Sequence, residues 1–426
     1  MGIILFSLFI LFLIAGIPIA VCIGLSALLT LAIATNVPLV VVAQRMYAAV
    51  DSFPMMAIPY FIVAGALMER GGISRRLINL ASSLVGSLPG GLGQVTVLTS
   101  MFFAAISGSG PATTAAIGSI MIPAMERHNY SRSFATALQA TAGALGPLIP
   151  PSILFITFGV ATGESVGALF LSGAIPGILV GLSLMVTVFI IAKRNGYVGT
   201  GHRSSLKDIW INVKNASWAL LMPIIILGGI YGGIFTPTEA AVVSAVYGLI
   251  VGMFIYRELK LQDLAGIFLK SAVTSSMVMY VIATASAFSW ILSIAQIPSQ
   301  IANFMIGIAP SPVLLLLLLN IFLLFVGCFI ELNAAIVILA PLLMPVMIKM
   351  GVHPIHFGTI MVTNLCLGLV TPPLGVNLYV ASGISKLRLE DVSKAIIPFI
   401  GAAIVVLLII TYIPSISLYL PKVLGR

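Results

Sequence analysis

The chain has 426 residues, of which 60% are hydrophobic and only 7% charged, with a mean hydropathy of +1.20. Soluble domains are roughly 45–50% apolar and about 25% charged, so this composition excludes a soluble enzyme or binding module and indicates a polytopic membrane protein. The net charge of +9 comes from 20 Lys and Arg that lie in connecting segments rather than in one patch, which suits positive-inside topology and not nucleic-acid binding.

Met1–Asn36 is almost continuously apolar, with Gly16-Ile17-Pro18 near its middle. A single helix of that length would reach roughly 50 Å against a hydrocarbon core of about 30 Å, so two short helices turning at Gly16–Pro18 are expected. The start lacks a basic region and does not read as a cleaved signal peptide. Val37–Phe53 is mixed in character and reads as an interfacial arm. Pro54–Met68 reads as the next span, followed by the basic, amphipathic MERGGISRRLINLASSLVGS.

Leu92–Ile106 then runs into Ser107–Gly110 (SGSG), and Ala115–Met125 runs back out. Glycine loosens the backbone and proline removes a donor. In hydrocarbon such a break is tolerated only where it is buried in protein or lines a cavity. A re-entrant hairpin is therefore expected here. Phe134–Gly143 enters a second kind of break, GALGPLIPPS, where Gly146, Pro147, Pro150 and Pro151 must unwind a helix within the membrane. Leu154–Gly159 and Val166–Ala192 complete a first half. Lys193–Asn215, with five basic residues, is read as a cytoplasmic loop.

Trp218–Ile234 and Glu239–Ile255 open the second half, separated by Phe235-Thr236-Pro237-Thr238. Thr236, Thr238 and Glu239 read as a capped helix start, and Glu164 as a loop residue. Leu264–Ile294 is a span with an extension, and IPSQIANFMIGIAPSP is arm-like. Val326–Met347 holds a second hairpin, with Glu331 and Asn333 at its turn. Ile360–Val370 runs into TPPLGVN, and Ala395–Ile413 is the last span.

The halves repeat. Pro123, Pro150-Pro151 and Pro176 recur as Pro345, Pro372-Pro373 and Pro398, each 222 residues later (345 less 123, for example). VATGES (160–165) and VASGIS (380–385) follow at nearly the same shift, and Arg76–Asn79 resembles Gln300–Asn303. Five spans and one hairpin per half would place the second copy upside down. Arg75, Arg76, Arg127 and Arg132 flank the first hairpin and only Lys349 the second, so the first is expected to open from the cytoplasm. The expected fold is all-α, with two inverted repeats and discontinuous helices, an arrangement that places a substrate site near the midplane.

Uncharged hydroxyls and bare carbonyls suit Na⁺, and the N-terminal ends of broken helices suit an anionic substrate. The Na⁺ candidates at the first tip and its break are Ser107, Gly108, Ser109, Thr141, Gly146 and Pro147. At the second they are Gly327, Glu331, Asn333, Gly368, Thr371 and Pro372. Ser109, Gly110, Thr113, Asn333 and Thr371 are the candidate substrate contacts. An ionisable Glu331 at membrane depth would be costly unless paired; a glutamate near the membrane surface is the bland alternative. Small residues at helix contacts are the corresponding alternative for the first tip.

Enzymatic readings fare poorly. A serine nucleophile needs a base within reach, and His128, His202, His353 and His356 all lie in or beside loops, as do the aspartates. There is no G-x-x-x-x-G-K-[ST]. Cys22, Cys328 and Cys366 have neither metal nor disulfide spacing. No cofactor is expected apart from Na⁺ as coupling ion. The rival class is an ion channel or a non-transporting membrane scaffold, but there is no ring of charges.

The segments AIPYFIVAGALMERGGISRRLINLA (57–81), FFAAISGSGPATTAAIGSIMIPAM (102–125), GALGPLIPPSI (143–153), GIFTPTEAAVVSAVYG (233–248) and LGLVTPPLGVNLYV (367–380) resemble the large membrane subunit of TRAP (tripartite ATP-independent periplasmic) transporters, within the ion-transporter superfamily. The resemblance implies an elevator-type, Na⁺-driven importer of organic acids in the bacterial cytoplasmic membrane. It implies two partners on separate polypeptides: a small four-helix membrane subunit and a periplasmic substrate-binding protein. Residues 1–86 and 217–308 would form a scaffold, 87–192 and 309–426 the moving transport part, and 193–216 the basic cytoplasmic loop. C4-dicarboxylates and sialic acid are the expected cargo classes. The lack of an arginine at the tips to clamp a second carboxylate points to sialic acid.

Overall fold

The computed structural model describes residues 1–199, 204–308 and 311–425, so four residues of the basic loop and two of the second arm-like segment lie outside the described residues. Everything regular in it is helical. With no water in a bilayer core, each segment must bond its own backbone, which a helix does. The first half comprises α1 (Gly2–Ile14), α2 (Ile19–Ala34), α3 (Val40–Val50), α4 (Ala57–Arg70), α5 (Ile73–Val85), α6 (Gly91–Ser107), α7 (Gly110–Arg127), α8 (Arg132–Gly143), α9 (Ile153–Thr162) and α10 (Val166–Asn195). The second comprises α11 (Leu206–Tyr231), α12 (Pro237–Ile250, ending in a π turn at Val251–Ile255), α13 (Leu261–Ile294), α14 (Ile297–Ile308), α15 (Pro312–Phe329), α16 (Leu332–Lys349), α17 (Pro354–Gly368), α18 (Val376–Ser385), α19 (Leu389–Tyr412) and α20 (Ser415–Val423).

The first apolar stretch does turn at Gly16–Pro18 into two helices. The arm-like α3 meets the segment Phe53–Arg70 at 64°. Thr236 and Glu239 form a capping box at the start of α12, and Glu164 lies between helices. The second half shows the expected register in its backbone: α7 runs from Gly110 to Arg127, and α16 from Leu332 to Lys349, with both ends 222 residues later (332 less 110, 349 less 127).

Seven described helices are long and apolar enough to cross a membrane, or up to eight when the bent pair counts as one. That is fewer than five full spans per half. The difference arises because the breaks divide helices into short pieces: α8 and α9 have 12 and 10 residues, and α17 and α18 have 15 and 10. Pieces of this size rise only about 15–22 Å each. On α10 the four-residue spacing expected of a lipid-facing stripe is visible, with Ile178, Leu182, Val186 and Ile190 exposed while Val180, Leu184 and Val188 are buried.

The helices pack in two groups. In one, α13 lies against α2, α3 and α4, α4 against α12, and α11 against α5 and α12. In the other, α6 packs on α7, α8 and α10, α15 on α17, and α10 on α17, α19 and α20. Contacts of α4 and α5 with α6, of α4 with α9, and of α13 and α14 with α16 join them. His128, His353 and His356 lie in or beside loops as expected, and His202 lies outside the described residues. His356, in the first turn of α17, is nonetheless 2% exposed, and bonds Ser417 Oγ (2.7 Å) and the Thr411 carbonyl (3.2 Å) through its two ring nitrogens. The apolar C-terminal helix α20 covers it, because Ser417 on that helix supplies a polar partner that lipid would not.

Candidate functional site

The first tip is built by a short turn between α6 and α7. α6 closes on Gly108, whose φ of 59° is left-handed, a region that costs little only without a Cβ. Ser109 is extended and caps α7, its hydroxyl accepting from the Ala112 N–H at 3.4 Å. Thr113 donates its hydroxyl to the Ser109 carbonyl at 2.8 Å, and Ser107 Oγ lies 2.9 Å from Thr113 Oγ1. The Ser107 and Thr113 hydroxyls and the Ser109 carbonyl thus meet at the turn.

This tip sits in the break between α8 and α9. A Cβ on Gly146 would run into the Ser109 carbonyl oxygen and lie 2.9 Å from the Gly110 nitrogen. A Cβ on Gly108 would lie 3.0 Å from the Pro151 carbonyl oxygen. Residues 141–152 are buried throughout. Two of the proposed oxygens are already engaged: Thr141 donates its hydroxyl to the Ala137 carbonyl at 2.9 Å, and the Pro147 carbonyl accepts from the Ser152 hydroxyl.

The second tip differs in chemistry. Glu331 caps α16, with Oε2 accepting from the Ala334 N–H and Oε1 from Asn333 Nδ2, both at 2.8 Å. Glu331 is exposed, whereas Asn333 is buried. Asn333 Oδ1 in turn accepts from Thr157 Oγ1 at 2.8 Å. Below the tip, Gly327 packs on the break between α17 and α18. A Cβ there would lie 3.1 Å from Gly368 Cα and 3.2 Å from the Leu365 carbonyl oxygen. Thr371 donates to the Leu367 carbonyl at 2.7 Å, and Thr371 and Pro372 are half-buried. The peptide bonds Pro150-Pro151 and Pro372-Pro373 are both cis.

The structure therefore brings Ser107, Gly108, Ser109, Gly110, Thr113 and Gly146 into one locus. It pairs Gly327 with Gly368, and Glu331 with Asn333. No described contact joins Thr371 to Asn333. Each half also supplies the other. A Cβ on Gly110 would lie 2.8 Å from Leu369 Cδ1 and 3.1 Å from Asn377 Oδ1, so the first tip touches the second break. Correspondingly α7 packs on α18, and α16 on α9.

Three residues at these contacts escaped the sequence reading. Asn377 is fully buried, donates Nδ2 to the Ala140 carbonyl at 3.3 Å, and has no partner on Oδ1. Gln139, also fully buried, donates Nε2 to the Thr113 carbonyl at 3.2 Å and leaves Oε1 without a partner. Thr157 is the third. The available signal was an amide inside an apolar helix, which marks function or a specific helix contact.

Two broken helices crossing two hairpin tips form a transporter-type core, and solved structures carry the same fold. The YdaH transporter of Alcanivorax borkumensis superposes with a TM-score of 0.62 over 91% of this chain and 89% of its own, at 13% identity. MtrF of Neisseria gonorrhoeae does so with a TM-score of 0.59 over 95% and 94%, at 14% identity. The family follows from sequence. Residues 6–416 match the family described as Tripartite ATP-independent periplasmic transporter, DctM component, and the chain belongs to it as a large permease subunit. It is 49% identical over 98% of its length to the isethionate TRAP transporter permease DctMQ of Oleidesulfovibrio alaskensis, of which it spans 66%. The C4-dicarboxylate large permease DctM of Rhodobacter capsulatus is 39% identical over 100% of this chain and 99% of its own. The sialic acid large permease SiaM of Vibrio cholerae is 37% identical over 96% and 95%.

Proposed function

We propose that the chain is the Na⁺-coupled permease of a tripartite importer, moving an organic acid anion across the bacterial cytoplasmic membrane. A periplasmic protein delivers the anion, and a small membrane subunit completes the assembly. The observation that carries this reading is the reciprocal arrangement at the core, in which each hairpin tip packs on its own half's break and its outgoing helix on the other half. The hydroxyls of Ser107, Ser109 and Thr113 suit a hard cation at the first tip. The Glu331 carboxylate, the Asn333 amide and the carbonyls near Gly368 suit one at the second. The positive N-terminal ends of α7, α9, α16 and α18 favour an acid group between them.

The matched helix ends support two inverted repeats, and the two packing groups support a scaffold (α1–α5 with α11–α14) against which the remainder slides as an elevator. In that description α6–α10 and α15–α20 travel together with the cargo. The basic ends of α4, α10 and α11 mark the cytoplasmic side.

The preference for sialic acid loses ground. Isethionate is named for the relative at 49% identity, sialic acid for one at 37%, and 2,3-diketo-L-gulonate for another, YiaN of Escherichia coli, at 38%. These cargoes share an acid group, carboxylate or sulfonate, and little else. The proposal is accordingly for a small organic acid anion. The test is uptake into proteoliposomes containing this chain and its small partner, with the binding protein loaded in turn with labelled isethionate, succinate and sialic acid. Transport that requires both the binding protein and an inward Na⁺ gradient is expected for one of the three. Flux that ignores Na⁺ and runs without the binding protein overturns the reading in favour of a channel.

A further inference from the structure

Away from the hairpins, polar side chains converge where α5, α11 and the turn after α12 meet. A cavity of about 390 Å³ opens there, lined by Arg75, Arg76, Asn79, Asn212, Asn215 and Glu258. Its wall is fixed. Arg76 donates to the Gly72 carbonyl at 2.8 Å and to Glu258 Oε1 at 2.6 Å, and its guanidinium lies 3.7 Å from the centre of the Tyr256 ring. Tyr256 is pinned in turn, its hydroxyl accepting from the Ala219 N–H and donating to the Asn215 carbonyl, both at 3.2 Å. The hydroxyl thereby sits within the hydrogen-bond ladder of α11.

The other polar groups at the cavity are uncommitted. No hydrogen bond or ion pair among the described residues engages the side chains of Arg75, Asn79, Asn212 or Asn215. A guanidinium with a planar fork of donors and three amide groups is a donor set suited to phosphate oxygens. The Glu258 carboxylate is already neutralised by Arg76, so Arg75 gives the cavity its net positive charge. Its height is also marked. On α11 the exposed Trp210 and Trp218 bracket Asn212 and Asn215 within a rise of roughly 12 Å, and exposed tryptophans of membrane helices sit at headgroup level.

We propose that this cavity binds the phosphodiester headgroup of a phospholipid, with Arg75 supplying the charge and Asn79, Asn212 and Asn215 the neutral donors. The leaflet is the cytoplasmic one under the orientation proposed above; the binding itself does not depend on that orientation or on the cargo.

Native mass spectrometry of the full chain in detergent, titrated with phosphatidylglycerol, diacylglycerol or inorganic phosphate, tests it. A charge-assisted hydrogen bond contributes about 1.5–3 kcal/mol, so Arg75→Ala should weaken phosphatidylglycerol retention roughly tenfold or more, and Arg75→Lys should lose less. Asn212→Ala/Asn215→Ala should weaken it by a smaller factor. Arg194→Ala, which removes an exposed cation outside the cavity, should change nothing. Equal retention by Arg75→Ala, equal loss in Arg194→Ala, or diacylglycerol held as well as phosphatidylglycerol would each overturn the proposal. Inorganic phosphate binding without lipid retention would assign the cavity to a free anion and overturn the lipid assignment.

Discussion

The two hairpin tips occupy equivalent places in the two halves but are held differently. The first is closed: residues 141–152 around it are buried, it has no charge, and backbone meets backbone where Gly146 abuts Ser109. The second is open: Phe329 and Glu331 are exposed, Pro373 and Leu374 in its break are exposed, and its turn is held by side-chain hydrogen bonds through Asn333. A repeated backbone does not require repeated chemistry. Both breaks meet their tips backbone to backbone, at Gly146–Ser109 and Gly327–Gly368, but the first tip is enclosed and carries hydroxyls alone, whereas the second is exposed and carries a carboxylate and an amide.

The largest expected effect follows from that contrast. Gly146→Ala forces a methyl group against the Ser109 carbonyl with no free surface to retreat to, so overpacking of about 1–3 kcal/mol should abolish Na⁺-dependent uptake and lower the thermal midpoint. Gly368→Ala meets the Gly327 backbone, 2.5 Å from its Cα, beneath a tip whose Phe329 and Glu331 are exposed, and should cost less in the same melt. A larger loss in Gly368→Ala than in Gly146→Ala would reverse the assignment of closed and open tips.

Next comes the amide bridge. Asn333→Ala takes the amide partner from a Glu331 oxygen and one of two acceptors from the Thr157 hydroxyl, which keeps the Ile153 carbonyl at 3.0 Å, a loss of about 1 kcal/mol. In a double-mutant cycle with Thr157→Val, measured by thermal melts, coupling of roughly 0.5 kcal/mol or more is expected. Additive effects would remove the bridge from the account of the second tip.

Ser109→Ala should be milder for stability, about 0.5–1 kcal/mol for a lost N-cap, while raising the Na⁺ concentration needed for half-maximal uptake and leaving membrane insertion intact. Unchanged Na⁺ dependence in both Ser109→Ala and Asn333→Ala would remove these residues from the cation sites. The smallest effect on transport belongs to Thr236→Ala. It removes a capping box on α12, a helix packed on α4 and α11 rather than on the hairpins, and should cost about 1 kcal/mol of stability with no change in Na⁺ dependence.

Much of this architecture was legible because breaks in apolar helices leave strong marks. The glycines and prolines of SGSG, GALGPLIPP and TPPLGVN fall where α6, α8 and α17 stop, and the proline register anticipates the matching ends of α7 and α16. What the sequence hid was pairing across the halves. Nothing local to Thr157 points to Asn333, 176 residues away. Asn377 lay inside a stretch recognised as a break, yet its unpartnered oxygen emerges only once α8 packs beside it. Hydroxyl direction was equally hidden: Thr141 and Thr371 both turn back onto their own helices, as hydroxyls near a four-residue-earlier carbonyl often do.

The crossed packing of α7 on α18 and α16 on α9 also bears on how such a chain can change over generations. Each half braces the other's hairpin, so neither could be exchanged for the corresponding half of a distant relative without remaking two seams at once. A chain severed between α10 and α11 should regain its shape only when both fragments are made in the same cell. Neither half, on this packing, is expected to transport without the other.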